Sequence, residues 1–132
     1  MADDSGLVVD YLKGAPGIYS ARYSGPEATD EENNKKLLEE MYGVAWEKRK
    51  AHFKCVMALV IPSQEEVFTV EGICKGYIAS HPRGDNGFGY DPVFYVPEYE
   101  KTMAQLSTAV KNEISHRARA LDKMKKILKE LF

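Results

Sequence analysis

Two apolar runs sit back to back in the middle of this chain, and they constrain its fold more than any other feature. Phe53 to Ile61 is apolar almost throughout, whereas Val67 to Cys74 alternates apolar and polar residues. Only Pro62, Ser63, Gln64, Glu65 and Glu66 separate them. A connection that short joins antiparallel neighbours, so the pair reads as a β-hairpin. The alternating strand should have unlike faces, and the more uniformly apolar one should be covered on both. The other segments must then extend this sheet or pack on it.

Leu7 to Leu12 reads as a further strand, stopped by Gly14, Pro16 and Gly17. Thr29 or Asp30 caps a helix with Glu31 and Glu32 in its first turn, an apolar stripe of Leu37, Leu38 and Met41, and Gly43 at its end. Trp46 to Lys50 reads as a basic connector, with Lys48, Arg49 and Lys50 serving solubility or an interface and Arg22 available to phosphate. A turn-rich stretch from Pro82 to Gly89 precedes a short strand, Val93 to Val96. Ser115 caps a closing helix in which Leu121, Met124, Leu128 and Leu131 recur at helical steps. Strands with helices before and after them indicate a mixed α/β or α+β chain, and 132 residues suit a single domain, 1–132.

Charge and composition narrow the function. With a net charge of −2 there is no positive face for duplex nucleic acid. An anionic small molecule remains compatible, because local cations or a metal reverse the sign inside a cleft. No run approaches the roughly 18 apolar residues of a membrane span, and no signal peptide opens the chain. Cys55 and Cys74 lack metal or redox spacing and read as reduced core thiols, which places the protein in the cytoplasm.

Three segments carry chemistry. Asp3, Asp4, Ser5 and Gly6 read as an acidic site turning out of a strand, or as solvated acids at a terminus. Neighbours in a strand point to opposite faces, so at most one of the two acids reaches a cleft. A strand takes about 5–6 residues to arrive at such a site, so a preceding segment is expected to be missing. In Gly87-Phe88-Gly89-Tyr90-Asp91-Pro92, two glycines flank an aromatic, which suits a flat ring stacked beside the backbone or a glycine-rich hairpin tip. Lys111, Ser115, His116 and Arg117 cluster at a helix start, as a site for anions and carbonyl oxygens or as a capped surface helix. His52 and His81 read as ordinary polar residues.

Together, Ala2 to Leu7, Gly14 to Tyr23, Gly87 to Phe94 and Ser115-His116-Arg117 resemble, in order, the motifs of the inosine/xanthosine triphosphate pyrophosphatase (Ham1-like) family. The resemblance implies an α/β fold with a mixed central β-sheet flanked by helices, two-lobed with a cleft, and a homodimer. It implies Mg²⁺-dependent hydrolysis of ITP, dITP and XTP to the monophosphate and pyrophosphate. Asp4 matches the metal-binding and water-activating acid and Ser5 a substrate contact. Phe88, Gly89, Tyr90 and Asp91 match the base-binding segment, and Lys111, His116 and Arg117 the other base contacts. Family members open with a strand and a Thr/Ser-Gly-Asn-x-x-Lys phosphate loop, followed by a metal-binding glutamate, and neither matches here. The chain thus corresponds to the C-terminal two-thirds of the family fold and is expected to be impaired in catalysis. The alternative is a non-catalytic base-binding or dimerisation fragment.

Overall fold

The protein is described by a computed structural model covering residues 2–61, 63 and 65–131, with Ala2 and Asp3 described by backbone alone. Pro62 and Gln64 of the hairpin connection, and the side chain of Asp3, lie outside the described residues. Strands β1 (Ala2–Val9), β2 (Lys50–Ile61), β3 (Glu66–Ile78), β4 (Phe94–Val96) and β5 (Lys101–Thr102) form one sheet in that order. Each neighbouring pair is antiparallel. Helices α1 (Asp30–Glu40), α2 (Thr108–Ile114) and α3 (His116–Leu131) complete an α/β fold.

The hairpin forms where expected, and β2 pairs with β3 from Lys50↔Tyr77 to Ile61↔Glu66. Its faces differ from expectation. Ala51, Phe53, Cys55 and Met57 are buried, while His52, Lys54, Val56 and Ala58 are only half-buried. One face of β2 is therefore covered and the other partly open, because α3 lies across only one side of β2 and β3. Gly72 permits that approach: a Cβ there would overlap the His116 carbonyl oxygen and the Ala120 nitrogen. Cys55, Met57, Ala120 and Met124 make a small cluster beneath α3. The main core gathers Leu7, Val9, Phe53, Ile78 and Phe94 from the sheet with Leu37 and Met41 from α1.

The first strand is displaced from its expected span. It runs Ala2–Val9, and Asp10–Leu12 is a 3-10 turn rather than strand. Lys13 takes a left-handed conformation and donates to Asp10 O, and the Gly14 N–H closes on Val9 O, so the chain leaves the sheet after the Val9↔Ala51 pair. The acidic motif thus lies within a strand and not at its exit. Asp, Ser and Gly are poor strand formers, and the ladder with β2 overrides that preference.

Thr29 caps α1 reciprocally with Glu32: Glu32 N–H donates to Thr29 Oγ1 at 3.2 Å and Thr29 N–H to Glu32 Oε1 at 2.9 Å. Arg49 departs from its surface reading. It is only 6% exposed and donates to Met41 O at 2.7 Å, Ile78 O at 2.6 Å and Ala79 O at 2.8 Å. The side chain ties the C-terminal end of α1 to the end of β3, and burial lowers its pKa. The basic character of its neighbours hid this role in the sequence. Helix α2 was also hidden, its apolar pair Val110 and Ile114 too brief to stand out as a stripe; Ser107 caps it by accepting from Val110 N–H at 3.3 Å. Ser115 caps α3 as expected, accepting from Ala118 N–H at 3.1 Å. No described helix is long and apolar enough to cross a membrane. Cys55 and Cys74 are free and buried, and burial raises the Cys74 pKa.

Candidate functional site

Alternation along β1 divides its residues between two surfaces. Ser5 and Leu7 pair with Cys55 and Phe53 on the core side, while Asp4 and Gly6 pair with Val56 and Lys54 on the other. On the core side, a cavity of about 240 Å³ is walled by Ser5, Phe53, Phe88, Gly89, Tyr90, Asp91 and His116, among others. A neighbouring cavity of about 210 Å³ is walled by Asp4, Ser5, Gly6, Ile18, Lys54 and Val56. Ser5 and Gly6 line both, so the two spaces flank the same stretch of β1. Residues far apart in sequence are thereby brought together: Ser5, the 88–91 segment and His116 share one wall, and exposed Asp4 stands beside it. Lys111 joins through Asp91, at 2.9 Å, with its ammonium 5.9 Å from the Phe88 ring centroid. Arg117, exposed in the first turn of α3, is not part of that wall.

The chemistry of the wall is specific. The His116 imidazole stacks on Phe53, centroids 4.9 Å apart and 19° between planes. Burial first, and the Arg117 charge second, lower its pKa to about 4, so the ring is neutral at pH 7. Its Nδ1 is buried with no hydrogen-bond partner among the described residues, a condition a ligand or water would relieve. Asp91 is 8% exposed, and its Oδ2 accepts from Lys111 Nζ at 2.9 Å and from Phe88 N–H at 3.3 Å. That carboxylate folds back under the loop, where a Cβ on Gly87 would overlap it. The Tyr90 hydroxyl donates to Ser20 O at 2.6 Å, and burial, with Asp30 nearby, raises its pKa. Tyr90 therefore offers its ring to the cavity while its hydroxyl braces the segment beneath. Ser20 braces in turn, accepting from Leu7 N–H at 2.9 Å and donating to Gly17 O at 2.6 Å.

Sequence reasoning missed Ser20, Asp30 and Asn34. Asp30 Oδ2 accepts the Gly89 N–H at 2.9 Å, and Asn34 Nδ2 donates to Gly89 O at 3.1 Å. The available signal was the Asn33-Asn34 pair, two weak helix formers inside a helix. No group of three or more His, Cys, Asp or Glu among the described residues is placed to hold a metal ion. Among the described residues, Asp4 is the carboxylate that lines the cavity of about 210 Å³. Magnesium commonly takes one or two carboxylates and completes its shell with water and phosphate oxygens, so a single carboxylate is compatible with Mg²⁺ only where a ligand and water supply the remaining oxygens.

The chain is 59% identical over 128 residues to a dITP/XTP pyrophosphatase of Bacillus licheniformis, covering 97% of this chain and 65% of that one. It is 57% identical to a dITP/XTP pyrophosphatase of Thermoanaerobacter pseudethanolicus, covering 99% of this chain and 66% of that one. The chain therefore spans just under two-thirds of the length of these curated relatives. Among solved structures, the Staphylococcus aureus Ham1 protein superposes with a TM-score of 0.95 at 46% identity, covering 99% of this chain and 67% of that one. A HAM1 protein from Coxiella burnetii gives 0.92 at 45% identity, with 98% and 66% covered. The Ham1 family profile matches residues 1–127. On sequence and fold alike, this chain belongs to the Ham1 family.

Proposed function

We propose that this chain binds a purine nucleotide by its base and serves the hydrolysis of ITP, dITP and XTP to the monophosphate and pyrophosphate. The observation that carries this reading is the shared wall of Ser5, Phe88 and His116, with Asp4 in the adjoining space. Phe88 offers a face for a purine. A neutral His116 and the Lys111 ammonium suit a 6-oxo group, and Arg117, outside the wall, would have to swing inward to add a further donor. Adenine places an amino donor there, and a buried donor left facing a donor costs about 1–3 kcal/mol. Ser5, which lines both cavities, would stand between base and phosphates and is proposed as a substrate contact, as are Gly89, Tyr90 and Asp91. Asp4 would hold Mg²⁺, which when bound neutralises phosphate charge and orients water. Its carboxylate would also accept the proton of the attacking water. Because one carboxylate serves both tasks, turnover by these 132 residues is expected to be slow.

A second reading, a base-binding or dimerisation module without turnover, is favoured by the lack of a metal-ligating cluster among the described residues. The half-open face of β2, with Val60 and Val67 exposed at the hairpin end, supports a homodimer. Two reduced core thiols and a net charge of −2 are consistent with a cytoplasmic protein that binds no nucleic acid. Measurement of ITP turnover in Mg²⁺ alongside inosine monophosphate binding separates the readings. Turnover that falls about 100-fold or more in Asp4→Asn supports the hydrolase. Inosine monophosphate binding with no turnover in the unsubstituted chain selects the base-binding module, and the absence of both turnover and monophosphate binding refutes the hydrolase and the base-binding module alike.

A further inference from the structure

Phe88 has little to hold its ring. It is 77% exposed and lines both the cavity of about 240 Å³ and a cleft of about 930 Å³. Side-chain packing therefore leaves the ring's position to the backbone. That backbone is held on consecutive peptides by side-chain hydrogen bonds, one from Asp91 of the same segment and two from α1. Phe88 N–H goes to Asp91 Oδ2 at 3.3 Å, Gly89 N–H to Asp30 Oδ2 at 2.9 Å, and Gly89 O receives Asn34 Nδ2 at 3.1 Å. Asp30 and Asn34 stand four residues apart on α1, which puts them on one face, one turn from each other.

Gly89 adopts φ +59°, yet no atom lies within 4 Å of where its Cβ would be. Conformation rather than crowding suits glycine here, and so permissive a residue holds one geometry only if its peptides are tied. Helix α1 is a firm holder, fixed by the Thr29–Glu32 capping box, by Asn33 bonds to Ala21 O and Ser24 N–H, and by fully buried Leu37 and Met41. Asn34 is itself 8% exposed, and its Oδ1 has no partner among the described residues. A half-satisfied buried amide is costly, and the bond that Asn34 does make goes to Gly89 O.

We propose that Asp30 and Asn34 are positioning residues for the base: from α1 they clamp the two peptide groups of Gly89 and so set the angle at which Phe88 presents its ring. The proposal rests on the reading of this cavity as the purine site.

The test measures inosine monophosphate binding by the full 132-residue chain and by Asp30→Ala, Asp30→Asn, Asn34→Ala, the double alanine variant and Phe88→Ala. Amide hydrogen exchange is followed in each. Each single alanine variant weakens binding about 3- to 10-fold, as loss of one hydrogen bond does, and the double variant approaches Phe88→Ala. Asp30→Asn, whose amide oxygen still accepts the Gly89 N–H, recovers most of the affinity. The Gly89 amide exchanges faster in Asp30→Ala while the Leu37 and Met41 amides stay protected. If Phe88→Ala binds as tightly as the unsubstituted chain, or that chain does not bind at all, the base site is misassigned and the clamp falls with it. If Phe88→Ala loses binding and the double variant keeps it, the base site stands and the clamp is overturned. The clamp is equally overturned if α1 loses protection in step with binding and Asp30→Asn recovers nothing, since the two residues would then be merely structural.

Discussion

His116 lies between an aromatic ring and a cationic neighbour, stacked on Phe53 and followed by Arg117. Its pKa is lowered to about 4, largely by burial. An unfolded chain takes up this proton near pH 6.5, so between pH 6.5 and 4 the unfolded state binds more protons than the native state. Stability from this residue is thus complete above pH 6.5 and is lost as pH falls toward 4. Urea unfolding of the protein and of His116→Gln across that range is expected to give a shallower pH slope for the variant, by up to about 1.4 kcal/mol per pH unit. Equal slopes would show that the ring is not held neutral. The motif Ser115-His116-Arg117 was plain in the sequence, but the charge state of His116 was not. It depends on Phe53, which reaches the imidazole only through the sheet.

At the scale of elements, two joints hold the site's supports in place. Arg49 ties α1 to the end of β3 through backbone carbonyls. Arg49→Ala removes the guanidinium donors from those carbonyls, with Met41 O keeping the Val44 N–H, and a loss of about 2–4 kcal/mol in denaturant unfolding is expected; a change within about 0.5 kcal/mol would refute the joint. Gly72 is the other, the point where α3 meets β3. Gly72→Ala forces a methyl into the backbone of α3 at His116 and Ala120. About 1–3 kcal/mol of destabilisation should result, with inosine monophosphate binding weakened as the first turn of α3 is displaced. Full stability in this variant would mean that α3 does not sit where the structure puts it. The hairpin, α1 and α3 were legible because their apolar periodicities are strong. The start of β1, the open face of β2 and the whole of α2 were not, since each depends on what a neighbouring element covers or pairs.

For the molecule as a whole, the cavity is built from β1, β2, α1, the 88–91 segment and the start of α3. A ligand there binds all of these elements in the native state only, so it should stabilise the whole fold. At a hundred times its dissociation constant a ligand adds about 2.7 kcal/mol, which for a chain of this size raises the melting temperature by roughly 10 °C. Thermal unfolding with inosine monophosphate is expected to show that shift, and adenosine monophosphate at the same concentration a smaller one. Equal shifts would remove the argument for 6-oxo recognition.

The sequence by itself determined the hairpin, the helix caps at Thr29 and Ser115, the α/β class and the family, because these rest on local periodicity, capping chemistry and ordered motifs. Tertiary structure decided which groups share a wall. Ser5 and His116 lie more than a hundred residues apart and meet only because β1 pairs with β2 and α3 crosses the sheet over Gly72. It also turned Arg49 inward and assigned Asp30 and Asn34 to Gly89. Contacts at such separations are fixed by how elements pack, and no stretch of residues read in order contains that information.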